Sequence, residues 1–144
     1  MLDLFIDGIA AIATPDTLAL MILGVIVGII FGSVPGLTAV TGIALFLPVT
    51  YSLGPIKGMA LLMAIYIGAV SGGLIAAILI NIPGTPASVA TCFDGTPLAR
   101  KGQAYKALGV GTVFSFLGTI FGILILVFVS PIIANFALKF GPAE

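Results

Sequence analysis

Two Pro-Gly pairs lie deep inside long uncharged apolar runs, and they are the best candidates in this chain for binding a small ligand. Each pair ends the pattern Ile-x-x-(Ser/Asn)-(Val/Ile)-Pro-Gly, at 30–36 and again at 78–84. Proline removes a backbone donor and glycine opens conformations that a helix does not use. In hydrocarbon, the freed backbone groups persist only beside protein or a wet cavity. Interrupted helices at corresponding places in a repeated unit are typical of a transporter's binding site.

Other chemistries are excluded by residue type. The chain has no histidine and one cysteine, Cys92, so it offers no imidazole base and no internal disulfide. It also has no Gly-Lys-Ser/Thr phosphate loop. The long apolar runs contain no Asp, Glu, His, Lys or Arg, and a membrane enzyme would depend on a constellation of such groups. We therefore expect no enzymatic activity and no cofactor beyond a coupling ion, Na⁺ or H⁺.

The elements that carry these breaks are predicted to be membrane helices. The chain is 60% hydrophobic and 7% charged, with a mean hydropathy of +1.35. The uncharged stretches 17–56, 58–93 and 107–138 each exceed the roughly 20 residues of one span. A net charge of zero favours neither nucleic acid nor a membrane-surface role. We predict an all-α, polytopic transmembrane helix bundle with Pro-Gly-broken helices that are discontinuous or re-entrant.

The predicted elements form a single transmembrane domain over 1–144. Helical spacing of apolar residues at the N-terminus predicts an interfacial amphipathic helix. The element 36–52 is short for a span, so it is either a re-entrant arm or the second half of a broken helix. The remaining segment is the most polar, and Asp94-Gly95-Thr96-Pro97 is a turn signature within it. The predicted ranges are 1–14 for the interfacial helix, 17–32, 36–52, 58–82 and 107–130 for the membrane helices, and 83–106 for the polar loop.

Small residues recur every four positions on three of the predicted helices, which predicts close helix packing rather than a binding site. These faces are Gly24, Gly28 and Gly32; Ala64, Gly68, Gly72 and Ala76; and Gly118 with Gly122.

Basic residues predict the orientation. Arg100, Lys101 and Lys106 lie in the 91–106 segment, whereas the 51–58 turn has only Lys57. Because cytoplasmic loops carry the excess of Lys and Arg, we expect 91–106 in the cytoplasm and 51–58 outside. The N-terminus is then outside if both 17–32 and 36–52 cross, and inside if the second is re-entrant.

The ordered motifs of the chain resemble the large permease subunit of bacterial tripartite tricarboxylate transporters. Ser71 and Leu74 stand where that family pattern has Tyr and Ser. Members of the family are several times longer, so the chain is expected to correspond to an N-terminal portion. The matching motifs are Gly-Ser-Val-Pro-Gly-Leu (32–37), Ala-Leu-Phe-Leu-Pro-Val-Thr-Tyr (44–51), Ile-Tyr-Ile-Gly (65–68), Gly-Gly-Leu-Ile-Ala-Ala-Ile-Leu-Ile-Asn-Ile-Pro-Gly-Thr-Pro (72–86), Phe-Asp-Gly-Thr-Pro-Leu-Ala-Arg-Lys-Gly (93–102) and Ala-Leu-Gly (107–109).

The resemblance implies a secondary transporter that takes up carboxylates across the bacterial inner membrane. It also implies an ion gradient as the energy source, with a small membrane subunit and a periplasmic solute-binding protein as partners. The alternative from the residues is a non-transporting scaffold or a channel-like subunit. Such a subunit would use the same glycine faces but has no need for paired Pro-Gly breaks.

The breaks fit this implication physically. A helix that starts after Pro-Gly presents free N–H groups and a partial positive charge, which suit a carboxylate. Carbonyl oxygens freed before the break suit Na⁺, with Ser33 and Asn81 as added ligands. The predicted substrate- or ion-binding residues are Ser33, Pro35, Gly36, Asn81, Pro83, Gly84, Thr85 and Ser88.

Each of these features also has a structural alternative. The prolines can be simple helix kinks. The hydroxyl groups of Ser33, Thr85 and Ser88 can bond back to carbonyls of their own segment. Asp94 can be a turn former, and the basic residues can be topology signals rather than substrate ligands.

Overall fold

The chain was analysed as a computed structural model that describes the backbone of residues 2–137 and the side chains of residues 6–131 and 133. Within residues 2–137 all regular structure is helical and no strand occurs, which confirms the all-α prediction. The chain divides into two compact units, Met1–Leu108 and Gly109–Glu144, where the sequence predicts one domain. The last residues of that predicted domain, 138–144, lie outside the described part.

Six α-helices and two short helical turns make up the described chain. Three apolar stretches, Pro15–Ser33, Pro55–Ile80 and Pro86–Pro131, are long enough to cross a membrane. In order the elements are α1 (Leu2–Ile12), α2 (Pro15–Ser33), α3 (Ala39–Leu53), α4 (Pro55–Ile80), a 3₁₀ turn (Pro86–Ser88), α5 (Val89–Leu98), a π-helical turn (Ala99–Gln103) and α6 (Ala104–Ala137).

Helices α2 and α4 pack against each other in parallel. At one end Asp16 and Lys57 form an ion pair of 3.4 Å. Further along, a Cβ on Gly24 would approach the Ala64 side chain to 2.9 Å, and Gly32 packs directly on the Ala69 carbonyl. Residue numbers therefore rise together along both helices. The first two small-residue faces meet here, as predicted, and let the two backbones touch.

Helix α3 runs back along α4 in the opposite direction. Its first turn packs near the middle of α4, where a Cβ on Gly42 would lie 3.0 Å from Ile65. Its last turns reach the start of α4, where Thr50 lies against Gly58. Although Pro48 lies inside it, α3 continues to Leu53. The chain thus leaves α2, returns along α3 and starts α4 at the end where α2 began.

The segment 83–106 differs from the polar loop that the sequence predicts. It contains the 3₁₀ turn, α5 and the π-helical turn, and Asp94 lies within α5 rather than in a turn. Tertiary contacts outweigh the local turn signature, because Gly95 and Thr96 are buried against α4. The helical path then changes direction at Gly102, whose φ of 77° is left-handed.

In the second unit, the described residues belong to α6. Large apolar side chains are exposed along it, including Phe114, Phe121 and Phe128. A Cβ added at Gly118 or Gly122 would meet nothing within 4 Å. The third small-residue face therefore has no packing partner in the described part of the chain.

Candidate functional site

Residues 81–98 form a hairpin against the C-terminal part of α4, which we name the 81–98 hairpin. Its first arm runs back along α4, so that Thr85 packs on Gly73, with Oγ1 only 2.8 Å from the position of a Cβ there. Its second arm is α5, which returns in the direction of α4 and places Gly95 against Ile78. At 1.5 Å per residue, the tip of the hairpin lies about 12 Å back from the end of α4.

The two Pro-Gly segments meet at this level. Gly84 lies directly against the carbonyl oxygen of Gly32, and a Cβ on Gly84 would also approach Gly73 Cα to 2.8 Å. The backbone nitrogen of Ser33 lies 2.9 Å from the Cβ position of Gly72. Only residues without side chains allow three backbone segments to approach so closely. The end of α2 and the tip of the 81–98 hairpin are therefore one local structure.

Two buried hydroxyl groups close the tip. Thr85 and Ser88 are 6% and 4% exposed and form a capping box at the start of the 3₁₀ turn. The Thr85 amide donates to Ser88 Oγ at 3.2 Å, and Ser88 Oγ donates to the Thr85 carbonyl at 2.8 Å. These bonds satisfy the start of the helical arm from within the hairpin. For Ser88, this is the back-bonded alternative named for the sequence.

At its open end the hairpin is fastened to α4 through Asn81 and Thr96. Asn81 ends α4 in the left-handed conformation, with φ 58° and ψ 28°. The buried Thr96 hydroxyl lies 2.8 Å from the Ala77 carbonyl oxygen and 3.0 Å from Asn81 Oδ1. Asn81 therefore joins the end of α4 to α5 and serves as a helix cap.

The other predicted site residues make no side-chain hydrogen bond to the tip within the described part of the chain. Ser33 Oγ donates to the carbonyl oxygens of its own helix, at 2.7 Å to Ile29 and 3.2 Å to Ile30. Pro35 and Gly36 are exposed in the non-helical stretch after α2. The structure groups Gly84, Thr85 and Ser88 with the end of α2, but it does not bring the Ser33 and Asn81 side chains to one point.

Sequence reasoning missed three contributors to this arrangement. Gly32 belongs to the packing stripe and Gly73 adjoins one, but both also form the surface on which the hairpin tip rests. Thr96 belongs to the apparent turn signature, and nothing local shows that it reaches back to α4. The one available signal was the adjacent pair Gly72-Gly73, which places a second glycine beside the packing stripe.

Comparison with known proteins gives consistent results. The model of the "Tripartite tricarboxylate transporter TctA family" matches residues 18–144. An uncharacterized 52.8 kDa protein in the TAR-I ttuC' 3' region of Agrobacterium vitis is 37% identical over 147 residues. That alignment covers 100% of this chain, which spans 29% of the relative's length. No solved structure matches the chain.

Proposed function

Because the chain belongs to the tripartite tricarboxylate transporter TctA family, we propose that it is permease sequence of a secondary transporter and not an enzyme. The transporter takes up tricarboxylates or related carboxylates across the bacterial inner membrane. Its energy source is an ion gradient, and its partners are a small membrane subunit and a periplasmic solute-binding protein. The three apolar stretches long enough to span a bilayer support the membrane location.

The observation that carries the proposed site is the contact of Gly84 with the Gly32 carbonyl. It joins the two Pro-Gly segments, whose matching patterns are the strongest feature of the sequence. Helix α4 is about 39 Å long at 1.5 Å per residue, whereas the hydrocarbon core is about 30 Å thick. A point about 12 Å back from the end of α4 is therefore within the bilayer if α4 spans it. The 81–98 hairpin is then re-entrant, with its tip inside the membrane.

The tip offers groups of the right chemistry for a carboxylate and a cation. The helical arm begins there, so the positive end of its dipole favours an anion, while the Thr85 and Ser88 N–H groups already have partners within the hairpin. The Ile30 carbonyl accepts from the Val34 amide, whereas the carbonyl groups after it in α2 have no amide donor from a following helical turn among the described residues and favour a cation. The buried groups named at the tip, Thr85 and Ser88, carry hydroxyls and no carboxylate. This supports Na⁺ over H⁺ as the coupling ion.

The test is carboxylate uptake by the permease expressed with its partner subunits, titrated against both Na⁺ and citrate. Gly84→Val should block the approach to Gly32, and apparent affinity should fall roughly 10- to 150-fold if one charge-assisted bond is lost. Gly118→Val is the matched control, since a Cβ there meets nothing within 4 Å among the described residues. Lys101→Gln should change insertion or expression at most.

Asn81 requires a pair of variants because it has a left-handed backbone. Asn81→Leu removes the amide but also strains the backbone, whereas Asn81→Gly removes the amide and accepts the conformation. If the amide is an ion or substrate ligand, both variants weaken apparent affinity. Wild-type affinities in Gly84→Val and Asn81→Gly would show that the breaks are only architectural, as in a scaffold or channel-like subunit.

A further inference from the structure

An open cavity of about 410 Å³ lies on the 81–98 hairpin, away from its buried tip. Its volume falls within the roughly 300–1,000 Å³ of small-molecule sites. Of the residues that the structure describes, one cation and no acidic side chain line the wall. The residues that line the cavity are Asn81, Pro83, Val89, Cys92, Phe93, Thr96, Pro97 and Arg100.

Arg100 supplies the positive charge of this cavity. Within the described side chains it makes no ion pair or hydrogen bond, and its neighbour Lys101 does not line the cavity. A guanidinium group presents donors in a planar fork that matches a carboxylate with two parallel bonds. An unpaired Arg100 beside apolar walls is thus suited to a planar anion.

Asn81 adds donors to the same wall. Its side-chain amide meets the Thr96 hydroxyl at 3.0 Å, and because that hydroxyl has one proton and also lies 2.8 Å from the Ala77 carbonyl oxygen, at least one Asn81 N–H group is left without a partner among the described residues. Cys92 contributes a thiol whose sulfur lies 3.9 Å from the Ser88 carbonyl oxygen. The donors of the cavity wall that remain for a ligand are therefore the Arg100 guanidinium and the Asn81 amide.

We propose that Arg100 and the Asn81 amide form a carboxylate subsite at the open end of the 81–98 hairpin, separate from its tip. This subsite binds a soluble di- or tricarboxylate on the side of the molecule where Arg100, Lys101 and Lys106 lie. It rests on the proposed function for the class of ligand.

The only cysteine of the chain provides the test, because Cys92 is half-buried in the cavity wall. The whole chain is placed in nanodiscs of zwitterionic lipid, and the rate of Cys92 labelling by N-ethylmaleimide is measured against citrate. Chloride at matched ionic strength is the control. Citrate should slow labelling, and Arg100→Gln should raise the required citrate roughly 10- to 150-fold, as expected for one lost charge-assisted bond.

Two further variants test whether citrate protection depends specifically on the Arg100 guanidinium. Lys101→Gln should retain wild-type protection, because this neighbouring charge is outside the cavity. Arg100→Lys, which keeps the charge but loses the fork, should protect less than arginine and more than glutamine. Its partial protection shows that a loss in Arg100→Gln does not come from misfolding. Absence of citrate protection in the wild type, or equal protection in Arg100→Gln, would overturn the proposal.

The lipid and the transport function are tested separately. A phospholipid headgroup carries a similar anion, so the labelling is repeated in nanodiscs with phosphatidylglycerol. Protection by that lipid but not by citrate also overturns the proposal. Uptake that survives Gly84→Val removes the proposed tip site and leaves citrate protection of Cys92 intact. Uptake that depends on Gly84, without any protection of Cys92, removes only the Arg100 subsite.

Discussion

At the scale of single residues, Asn81 lies inside an apolar run because it ends α4 in the left-handed conformation. A non-glycine residue with positive φ is uncommon, and asparagine tolerates the left-handed region better than most. Its φ of 58° ends α4, and its side chain then meets Thr96 on α5. The same residue therefore ends a helix, fixes the base of the hairpin and leaves its N–H groups for a ligand.

Thr96→Val should lower the stability of the first unit. The change preserves shape but removes the buried hydroxyl and leaves the Ala77 carbonyl without this donor. We expect a loss of about 1–3 kcal/mol in unfolding free energy. Unfolding of the chain in mixed detergent micelles measures it. Thr119→Val is the control, because that hydroxyl bonds the Ser115 carbonyl of its own exposed helix. Equal stability of the two variants would contradict the buried contact.

At the scale of elements, α2 with α3 and α4 with the 81–98 hairpin are two versions of one arrangement. Each has a long helix, a Pro-Gly interruption and a shorter helix. The long helices are parallel, and the end of α2 and the turn at Gly84 and Thr85 both reach the level of Gly72 and Gly73 on α4. The shorter helices run in opposite directions: α3 runs toward the start of α4, whereas α5 runs toward the end of α4. The end of α2 and Gly84 therefore meet while the two shorter helices lie toward opposite ends of α4.

The glycine contacts between α2 and α4 predict a contrast between two identical substitutions. Gly68→Ala places a methyl group on the Val25 carbonyl, whereas Gly118→Ala meets nothing within 4 Å. Overpacking typically costs about 1–3 kcal/mol, so Gly68→Ala should destabilise the chain. Gly118→Ala should be neutral or gain up to about 1 kcal/mol from helix propensity. The measurement is the same micellar unfolding. A similar effect of the two variants would mean that the helices do not cross there.

The ion pair between Asp16 and Lys57 makes the topology testable. Because α2 and α4 start at the same end, residues 51–58 and the start of α2 share one side, and the basic segment after α5 lies at the other end. In a Cys92→Ala background, a cysteine at Gln103 should react with a membrane-impermeant maleimide only from the cytoplasm. A cysteine at Ser52 should react only from outside. Labelling of position 103 in intact cells would reverse the predicted orientation.

The long apolar helices and their small-residue faces were predictable from the sequence, whereas the short helical elements of the polar segment 83–106 were not. The apolar runs and the faces of Gly24, Gly28 and Gly32 predict membrane-length helices in close contact, and α2 and α4 pack in this way. The segment 83–106 was predicted as a loop because Asp94-Gly95-Thr96-Pro97 is a local turn signal. Its helix depends on contacts of Gly95 and Thr96 with α4, which no local pattern contains.

The site was predictable to a similar extent. The repeated Pro-Gly pattern identifies Gly84 as special, and the structure places it against Gly32. The sequence pattern does not show that Ser33 bonds back to its own helix or that Asn81 lies about 12 Å from the tip. Residues that share a motif separate when one of them ends a helix. Arg100 was interpreted from the sequence as a topology signal, and its place in the cavity wall depends on the hairpin.

At the scale of the whole molecule, the backbone after α2 is exposed and carries polar groups that hydrocarbon cannot hydrogen-bond. Val34 is 44% exposed, and Pro35 and Gly36 are exposed beside it in non-helical backbone. Non-helical backbone at membrane depth requires protein or water around it. The curated relative of this chain is also longer, since the chain spans 29% of its length. We infer that transport requires protein contacts beyond these 144 residues.

The chain expressed alone should therefore enter the membrane but fail to transport. Its apolar helices are long enough for insertion, which resistance to alkaline extraction measures. Uptake of radiolabelled citrate is then compared in proteoliposomes with the chain alone and with the permease and its partner subunits, under Na⁺ and proton gradients. We expect uptake only in the proteoliposomes that contain the permease and its partner subunits. The exposed backbone after α2 needs packing partners before a closed binding site can form. Gradient-driven uptake by the chain alone, above that of empty liposomes, would show that residues 1–144 complete the site by themselves.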